Sequence, residues 1–409
     1  MRALAHPAFR YYFAGQAVSI LGSWIQQVAL AWLVYRLTGS ATLLGLTAFA
    51  ALIPQLFVGP LAGAWIDRHD KRRTLVGVQF LLALQAAVLA LLTWTESIGP
   101  PLIVAMSVAL GILNAFDTPL RQSMISAMVP RREDLPNALA LNAMLFNLGR
   151  FIGPPVAGFL VGLTSEAACF AINAVSFAAL IAGLLRMRVP PTPRAQGSVG
   201  HVFREGLRYA WNDYAIRTVL LMLTLLNLTA SAYAVLLPIF AKEVFAGDAR
   251  TLGLLWGAAG CGAFASTLFL AARKSLPAVV RGVAGGVVMS AAALLAFPLT
   301  TRLEIALPAM AVLGFGISVC NVGVNTILQS LAPDRLRGRV VSLFTAARFG
   351  FDAVGGLIAG FVAAAFGAPA TLVGEGVILV AGAAWFLGHR RDIQRATGVA
   401  VPSGGGRGG

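Results

Sequence analysis

Five charged side chains inside strongly apolar stretches have the clearest chemical potential in this sequence. Asp117 and Arg121 are four residues apart, so they would share one helix face and could form an ion pair. Arg348 and Asp352 have the same spacing. Arg150 has no acid at that spacing and needs a partner from another segment, for which Asp117 is one possibility. Charges in an apolar medium are costly, so these residues either fix helix packing as neutralised pairs or exchange protons, with Asp117 as the first candidate.

Polar side chains also recur at helical spacing in several apolar stretches. Asn321 and Asn325, for example, are four residues apart and would lie on one face. A polar face suits a water-filled cavity, although hydrogen bonds between helices use the same residue types. The candidate cavity residues are Ser23, Gln26, Gln27, Asn114, Asn227, Ser231, Asn321 and Asn325.

The sequence lacks the patterns of common cofactor and metal sites. Its three cysteines lie in apolar runs without a CxxC motif, and its four histidines lie in polar segments. It contains no phosphate-binding loop, no recognisable nucleophile with its base and no paired histidines within the apolar runs. We therefore expect no cofactor, no metal and no direct use of ATP.

The composition places these residues in a membrane protein. Of 409 residues, 58% are hydrophobic and 11% are charged, against about 25% charged in soluble domains. These values exclude a disordered chain and argue against a soluble enzyme. Since lipid offers the backbone no hydrogen-bond partners, each apolar run of about 20 residues predicts a membrane-spanning helix. The twelve runs cover approximately residues 11–35, 41–66, 75–95, 100–127, 137–163, 167–186, 216–240, 251–272, 280–299, 303–331, 341–366 and 370–388.

The basic residues predict the orientation in the membrane. With twelve spans both termini lie on one side, which carries 24 of the 31 Lys and Arg residues, whereas the other side carries four. This asymmetry predicts a multi-pass protein of a bacterial-type plasma membrane with both termini cytoplasmic. The net charge of +15 is thus a topology signal, and we expect no nucleic-acid partner.

The two halves of the chain repeat one another. Asn114 precedes a Gln-Ser pair at the same spacing as Asn321 does in the second half. Arg150-Phe151 precedes a glycine at the same spacing as Arg348-Phe349. Such duplication predicts an all-α integral membrane protein with twelve transmembrane helices in two pseudo-symmetric six-helix bundles. We expect the bundles at residues 1–186 and 216–390, a cytoplasmic linker with an amphipathic segment at 187–215 and a disordered cytoplasmic tail at 391–409.

Small residues four apart mark the helices that we expect to contact one another between the bundles. Such pairs allow close helix approach, although generic membrane packing uses them too. In spans 2, 5, 8 and 11, which occupy equivalent places in the repeat, the pairs are Gly59 and Gly63, Gly149 and Gly153, Gly158 and Gly162, Gly253 and Gly257, and Gly356 and Gly360.

The loop between spans 2 and 3 reads GAWIDRHDKRRTL at residues 63–75. It resembles the loop signature of the major facilitator superfamily, G-x-L-a-D-R-x-G-R-K-x-x-L, but departs from it at Trp65 and at Asp70, where the family usually has glycine. The resemblance implies that Asp67 is a gating latch that pairs near span 11 in the outward-facing state. A solvated charged loop is the alternative. The residues that match the gating signature are Gly63, Asp67, Arg68, Lys71 and Arg72.

Residues 149–158, GRFIGPPVAG, resemble the antiporter motif of the drug-efflux branch of that superfamily. The core of the motif is G-x-x-x-G-P-x-x-G-G, and Ala157 replaces one glycine. The motif positions here are Gly149, Arg150, Gly153, Pro154 and Gly158. Segments around Phe9-Arg10, Trp24 and residues 336–340 resemble the siderophore and macrolide exporter branch.

The resemblance implies the major facilitator fold, with spans 1, 4, 7 and 10 lining the cavity. It also implies export of an amphipathic small molecule, such as a siderophore, a macrolide or another drug, by proton antiport and alternating access. The expected partners are the lipid bilayer, this substrate and protons, and the expected state is a monomer. An importer or uniporter of a small metabolite is the alternative, and a polytopic membrane enzyme or redox subunit is a remote one.

Overall fold

The computed structural model describes residues 2–66, 68–187, 207–273 and 275–399. Within these ranges, 12 helices are long and apolar enough to cross a membrane. They are α1 Pro7–Thr38, α2 Ala41–Ile66, α3 Lys71–Trp94, α4 Pro100–Met128, α5 Leu135–Leu163, α6 Glu166–Arg186, α7 Tyr214–Ile239, which a π-helical turn continues over Phe240–Val244, α8 Ala249–Ala271, α9 Leu276–Ala296, α10 Leu303–Leu331, α11 Asp334–Phe366 and α12 Ala368–Val399.

Glycine and aspartate residues define several of the helix ends. Gly39, with φ 59°, ends α1 in the left-handed conformation, and its N–H donates to the Tyr35 carbonyl at 2.8 Å. This geometry allows the tight turn into α2. Asp213 and Asp248 cap α7 and α8 by accepting hydrogen bonds from first-turn backbone N–H groups.

The helices form two bundles with equivalent packing. In the first bundle, α1 packs on α5 and α6, α2 packs on α4, and α3 packs on α4 and α6. In the second, α7 packs on α11 and α12, α8 packs on α10, and α9 packs on α10 and α12. This equivalence confirms the predicted pseudo-symmetric pair of six-helix bundles.

The main contacts between the bundles are α2 with α11 and α5 with α8. We call the end of the molecule where α1 begins the terminal end, and the opposite end the distal end. A methyl group on Gly45, near the distal end of α2, would lie 2.7 Å from the Gly356 carbonyl oxygen of α11. A methyl group on Gly59 or Gly63, nearer the terminal end of α2, would meet no atom within 4 Å. The α2 and α11 helices are therefore in close contact at the distal end and are farther apart toward the terminal end.

The structure differs from the sequence expectation at the C-terminal end. Helix α12 continues through residues 391–399, where we expected disorder. Ile393 is buried there, and the Gln394 side chain donates to the Pro277 carbonyl at 3.3 Å. Asp392 and Arg395 add an ion pair at 3.6 Å. The remaining tail, 400–409, and most of the predicted linker, 188–206, lie outside the described residues.

Candidate functional site: a cavity between the bundles

A cavity of about 380 Å³ lies between the two bundles. Side chains from α1, α2, α3, α4 and α6 of the first bundle and from α7, α8 and α11 of the second border it. Much of its wall is apolar, with Leu30, Val34, Leu52, Phe177 and Trp256 among the larger side chains. A mostly apolar pocket of a few hundred Å³ with a few polar groups is typical of a small-molecule site.

Four of the candidate cavity residues lie in this wall. They are Ser23, Gln26 and Gln27 on α1 and Asn114 on α4. The Ser23 hydroxyl donates to the Ser19 carbonyl at 2.9 Å. The cavity therefore brings together polar residues from two helices of the first bundle.

Three of the other candidate cavity residues, Asn227, Asn321 and Asn325, lie elsewhere in the described part of the chain. Asn227 donates to the Leu223 carbonyl at 2.8 Å, and Asn321 donates to the Ile317 carbonyl at 3.0 Å. Asn325 accepts from the Gln329 amide at 3.1 Å. These amides bond within their own helices, and α10 does not border the cavity. The Ser231 side chain lies outside the described residues, and α7 contributes Ala234 and Val235 to the wall instead.

Asp117 and Arg121 form a buried ion pair at the cavity wall. Arg121 Nε lies 2.7 Å from the Asp117 carboxylate. The Arg121 guanidinium also donates to the side-chain oxygens of Gln16 on α1 and Gln79 on α3, and the Gln79 amide donates to Asp117. The cluster links three helices and satisfies the charge of Asp117. Asp117, which was one possible partner for Arg150, is therefore already paired with Arg121.

Arg150 instead interacts electrostatically with the other bundle. It lies on α5, close enough to Arg348 and Asp352 on α11 for their charges to act on one another. Asp352 borders the cavity. Among the described residues, no cation lies within 4.0 Å of its carboxylate. The Arg348 and Asp352 side chains, which the i,i+4 spacing placed on one face, therefore interact without forming a close ion pair.

The glycines of the antiporter motif allow close packing of α5 on both sides. A methyl group on Gly153 would lie 2.5 Å from Trp24 Cβ of α1, and a methyl group on Gly149 would collide with Ile20 of the same helix. A methyl group on Gly158 would collide with the Ala249 carbonyl of α8. The glycines of the motif therefore allow α5 to pack closely against α1 of its own bundle and α8 of the other bundle.

Pro154 gives the motif a further effect on the α5 backbone. Because proline has no N–H, the Arg150 carbonyl lacks its usual donor one turn later in the helix. Gly260 of α8 lies against this carbonyl so closely that a side chain there would collide with it. The proline and the glycine thus define one contact point between the bundles.

The structure describes most of the predicted gating residues. Asp67 lies outside the described residues. Arg68 is exposed in the turn after α2, and Lys71 is the first residue of α3. The Arg72 guanidinium donates to the Leu184 and Leu185 carbonyls at 2.7 and 2.6 Å. Arg72 therefore ties the start of α3 to the end of α6 within one bundle.

Asp70, the position at which this loop departs from the family signature, caps helix α3. Its carboxylate accepts from the Arg73 backbone N–H at 2.9 Å. Gly63, the first residue of the signature, lies on α2 in the open region near the terminal end. The departure from glycine thus supplies a helix cap at the start of α3.

Sequence reasoning missed several polar residues around the cavity. Gln26 donates to Gln85 of α3 at 3.1 Å and accepts from Asn173 of α6 at 2.7 Å. Thr47 of α2 and Trp256 of α8 also border the cavity. Gln85 and Asn173 are each an amide in an otherwise apolar span, but they lie in spans 3 and 6, whereas the family resemblance implies a cavity lined by spans 1, 4, 7 and 10.

The chain matches the family described as transmembrane secretion effector over residues 1–400. It is 28% identical over 267 residues to the staphyloferrin A transporter of Staphylococcus aureus, which covers 64% of this chain and 66% of that protein. It is 26% identical over 399 residues to the multidrug efflux pump Tap of Mycolicibacterium fortuitum, covering 92% of this chain and 94% of that pump.

A similar solved structure is a bacterial homolog of the human lysosomal transporter Spinster in an inward-facing, occupied conformation. It has a TM-score of 0.74 at 14% identity and covers 95% of this chain and 97% of the other. This likeness supports the twelve-helix fold, and the family match extends over nearly the whole sequence. The chain belongs to the transmembrane secretion effector family of major facilitator transporters and is therefore a membrane transporter, not an enzyme.

Proposed function

We propose that the protein is a secondary active exporter of an amphipathic small molecule, driven by proton antiport through alternating access. The observation that carries this proposal is the cavity between the bundles, which combines apolar walls with charged side chains from both bundles. The names of the staphyloferrin A transporter and the multidrug efflux pump Tap favour a siderophore-like or drug-like cargo.

The contacts between the bundles support alternating access. The α2 and α11 helices touch closely at the distal end and leave open space around Gly59 and Gly63 toward the terminal end. The excess of Lys and Arg favours a cytoplasmic position for the terminal end. In this proposal, the described state accepts cargo from the cytoplasm, and release requires the distal contacts to open.

We assign proton exchange to Asp352. Asp117 is held by Arg121 and Gln79, so protonating it would break a satisfied cluster. Asp352 borders the cavity on α11, which contacts the first bundle through α2. When it is ionised, Asp352 attracts Arg150 of α5, and protonation removes that attraction. Proton binding would thereby change an interaction between the bundles.

We retain Asp67 as the gating latch, together with Gly63, Arg68, Lys71 and Arg72. The contact of Arg72 with the end of α6 supports a defined loop position. An acid near a helix N-terminus gains about 0.3–1 kcal/mol, enough to bias two states of similar energy. Asp67→Asn is expected to abolish transport at normal expression, and full transport by this variant would refute the latch.

Proton antiport can be tested in everted membrane vesicles that are energised by respiration and loaded with a ΔpH-sensitive dye. A macrolide, a siderophore and a lipophilic cation are added one at a time. Cargo that moves inward in exchange for protons dissipates the gradient and restores fluorescence. We expect restoration with the unmodified protein and none with Asp352→Asn.

Asp392→Asn is the matched control because it makes the same change at an exposed acid near the end of α12. It should behave as the unmodified protein does. Cargo accumulation that persists after the proton gradient is collapsed would contradict antiport. Cargo accumulation in right-side-out vesicles, with none in everted vesicles, would contradict export.

A further inference from the structure

Among the described residues, two buried hydrogen-bond donors in the cavity wall make no hydrogen bond. Thr47 on α2 is 7% exposed and Trp256 on α8 is 9% exposed, and both side chains border the cavity. Within the described residues, neither Thr47 Oγ1 nor Trp256 Nε1 makes a hydrogen bond. A buried donor without an acceptor is unfavourable, so both groups stand to gain from an acceptor that enters the adjacent space.

Several acceptors in the same wall are already used. The Asp117 carboxylate accepts from Arg121 and Gln79. Gln26 Oε1 accepts from Asn173, and Asn173 Oδ1 accepts from the Ser176 hydroxyl at 3.1 Å. The wall thus holds two buried donors without acceptors, whereas the side-chain oxygens of Asp117, Gln26 and Asn173 already accept hydrogen bonds, which favours a ligand that brings acceptors to Thr47 and Trp256.

The charges around the cavity favour the same kind of ligand. Arg121, Asp117 and Asp352 border the cavity, and Arg348 and Arg150 lie close enough to Asp352 to interact electrostatically with it. The group carries a net positive charge when both aspartates are ionised. This excess of positive charge repels a cationic ligand and attracts ligand oxygen atoms that carry a partial or full negative charge.

We propose that the cavity selects cargo by its oxygen acceptors. Thr47 Oγ1 and Trp256 Nε1 donate to carbonyl, hydroxyl or carboxylate oxygens of a polyoxygenated amphipathic molecule, in preference to a lipophilic cation. The two donors belong to different bundles, so one cargo molecule that engages both links them. This inference rests on the proposed export function and narrows its substrate class.

The test compares two probes by equilibrium binding to the purified full chain. Erythronolide B is a neutral macrolactone with hydroxyl and carbonyl oxygens but no amine, and tetraphenylphosphonium is a lipophilic cation. Thr47→Val keeps the side-chain shape without the hydroxyl, and Trp256→Phe keeps an aromatic ring without the N–H. Each variant should weaken macrolactone binding about tenfold, as expected for one lost hydrogen bond, and leave cation binding unchanged.

Trp24→Phe is the matched control because Trp24 packs against Gly153 outside the cavity wall. It should alter neither affinity. Unchanged macrolactone binding in both Thr47→Val and Trp256→Phe overturns the inference. Equal loss of both probes overturns it as well, because that result indicates general damage to the cavity.

Vesicle export and binding to the purified chain together distinguish failure of the export function from failure of the acceptor selection. Export of tetraphenylphosphonium without macrolactone binding overturns the acceptor selection and leaves the export function standing. Donor-dependent macrolactone binding without export of any probe contradicts the export function and leaves the acceptor subsite standing. Binding of neither probe by the purified chain overturns the acceptor subsite.

Discussion

Asp117 and Arg121 show how charges are accommodated inside the first bundle. Both side chains are buried, and the amides of Gln16 and Gln79 complete their hydrogen bonds. The loss of one member of a buried pair leaves an uncompensated charge, which typically costs about 3–5 kcal/mol. The pair therefore matters for folding as well as for the polarity of the cavity.

We expect Asp117→Asn and Arg121→Gln each to lower the thermal unfolding temperature of the detergent-solubilised protein substantially. The double variant should recover part of the loss, since it leaves no unpaired charge. Asp392→Asn, at an exposed acid, should have little effect. Losses that simply add in the double variant would show that the two charges are not energetically coupled.

The sequence predicts only some of the residues that border the cavity. Ser23, Gln27 and Asn114, which were predicted to lie on polar helix faces, lie in the cavity wall. The same spacing rule cannot separate an amide that faces a cavity from one that bonds within its own helix, as Asn227 does. Thr47 has no periodic signal because the residues three and four positions before and after it are all apolar.

Close approach of α5 and α8 depends on glycines that have no room for a side chain. At Gly260, a methyl group would collide with the Arg150 carbonyl, which Pro154 leaves without its usual donor. Since the obstacle is backbone, the helices would have to separate. Sequence spacing predicted that spans 2, 5, 8 and 11 lie between the bundles, and the structure adds the pairing of α5 with α8 and the specific contact points.

Gly260→Ala is expected to destabilise the protein by about 1–3 kcal/mol through overpacking and to reduce export. Gly285→Ala is the matched control because a methyl group on Gly285 of α9 would meet no atom within 4 Å. It should leave stability unchanged or slightly raised, since alanine favours a helix. Thermal unfolding and vesicle export measure both effects, and equal behaviour of the two variants would contradict the packing argument.

The Asp70 cap predicts a graded effect at the start of α3. Asp70→Ala should cost about 1 kcal/mol of unfolding free energy, because the Arg73 N–H loses its acceptor. Asp70→Gly, which restores the residue usual in the family, should cost only a few tenths. Thermal unfolding of the two variants tests this order, and an alanine variant as stable as the glycine variant would contradict the cap.

At the scale of the whole molecule, the sequence predicted the two bundles and the helices that join them, but not which end is closed. The repeat and the small-residue pairs are the same in every state of an alternating transporter, so they carry no information on the state. The structure adds that information through the close contact of Gly45 with Gly356 and the open space at Gly59.

The most direct test of alternating access is a disulfide across the distal contact. A Cβ atom on Gly356 would lie 4.0 Å from Ala48 Cβ, within the range of disulfides. Ala48→Cys/Gly356→Cys, with exposed Cys261 replaced by serine, is oxidised in vesicles and assayed for cargo export. Each single-cysteine variant serves as the oxidation control.

We predict that cross-linking abolishes export in the double variant, that a reductant restores it, and that the single variants are unaffected. The distal contact must open for cargo to leave, so a covalent bond there holds the protein in one state. Export at the normal rate by fully cross-linked protein would contradict alternating access through opening of the distal contact.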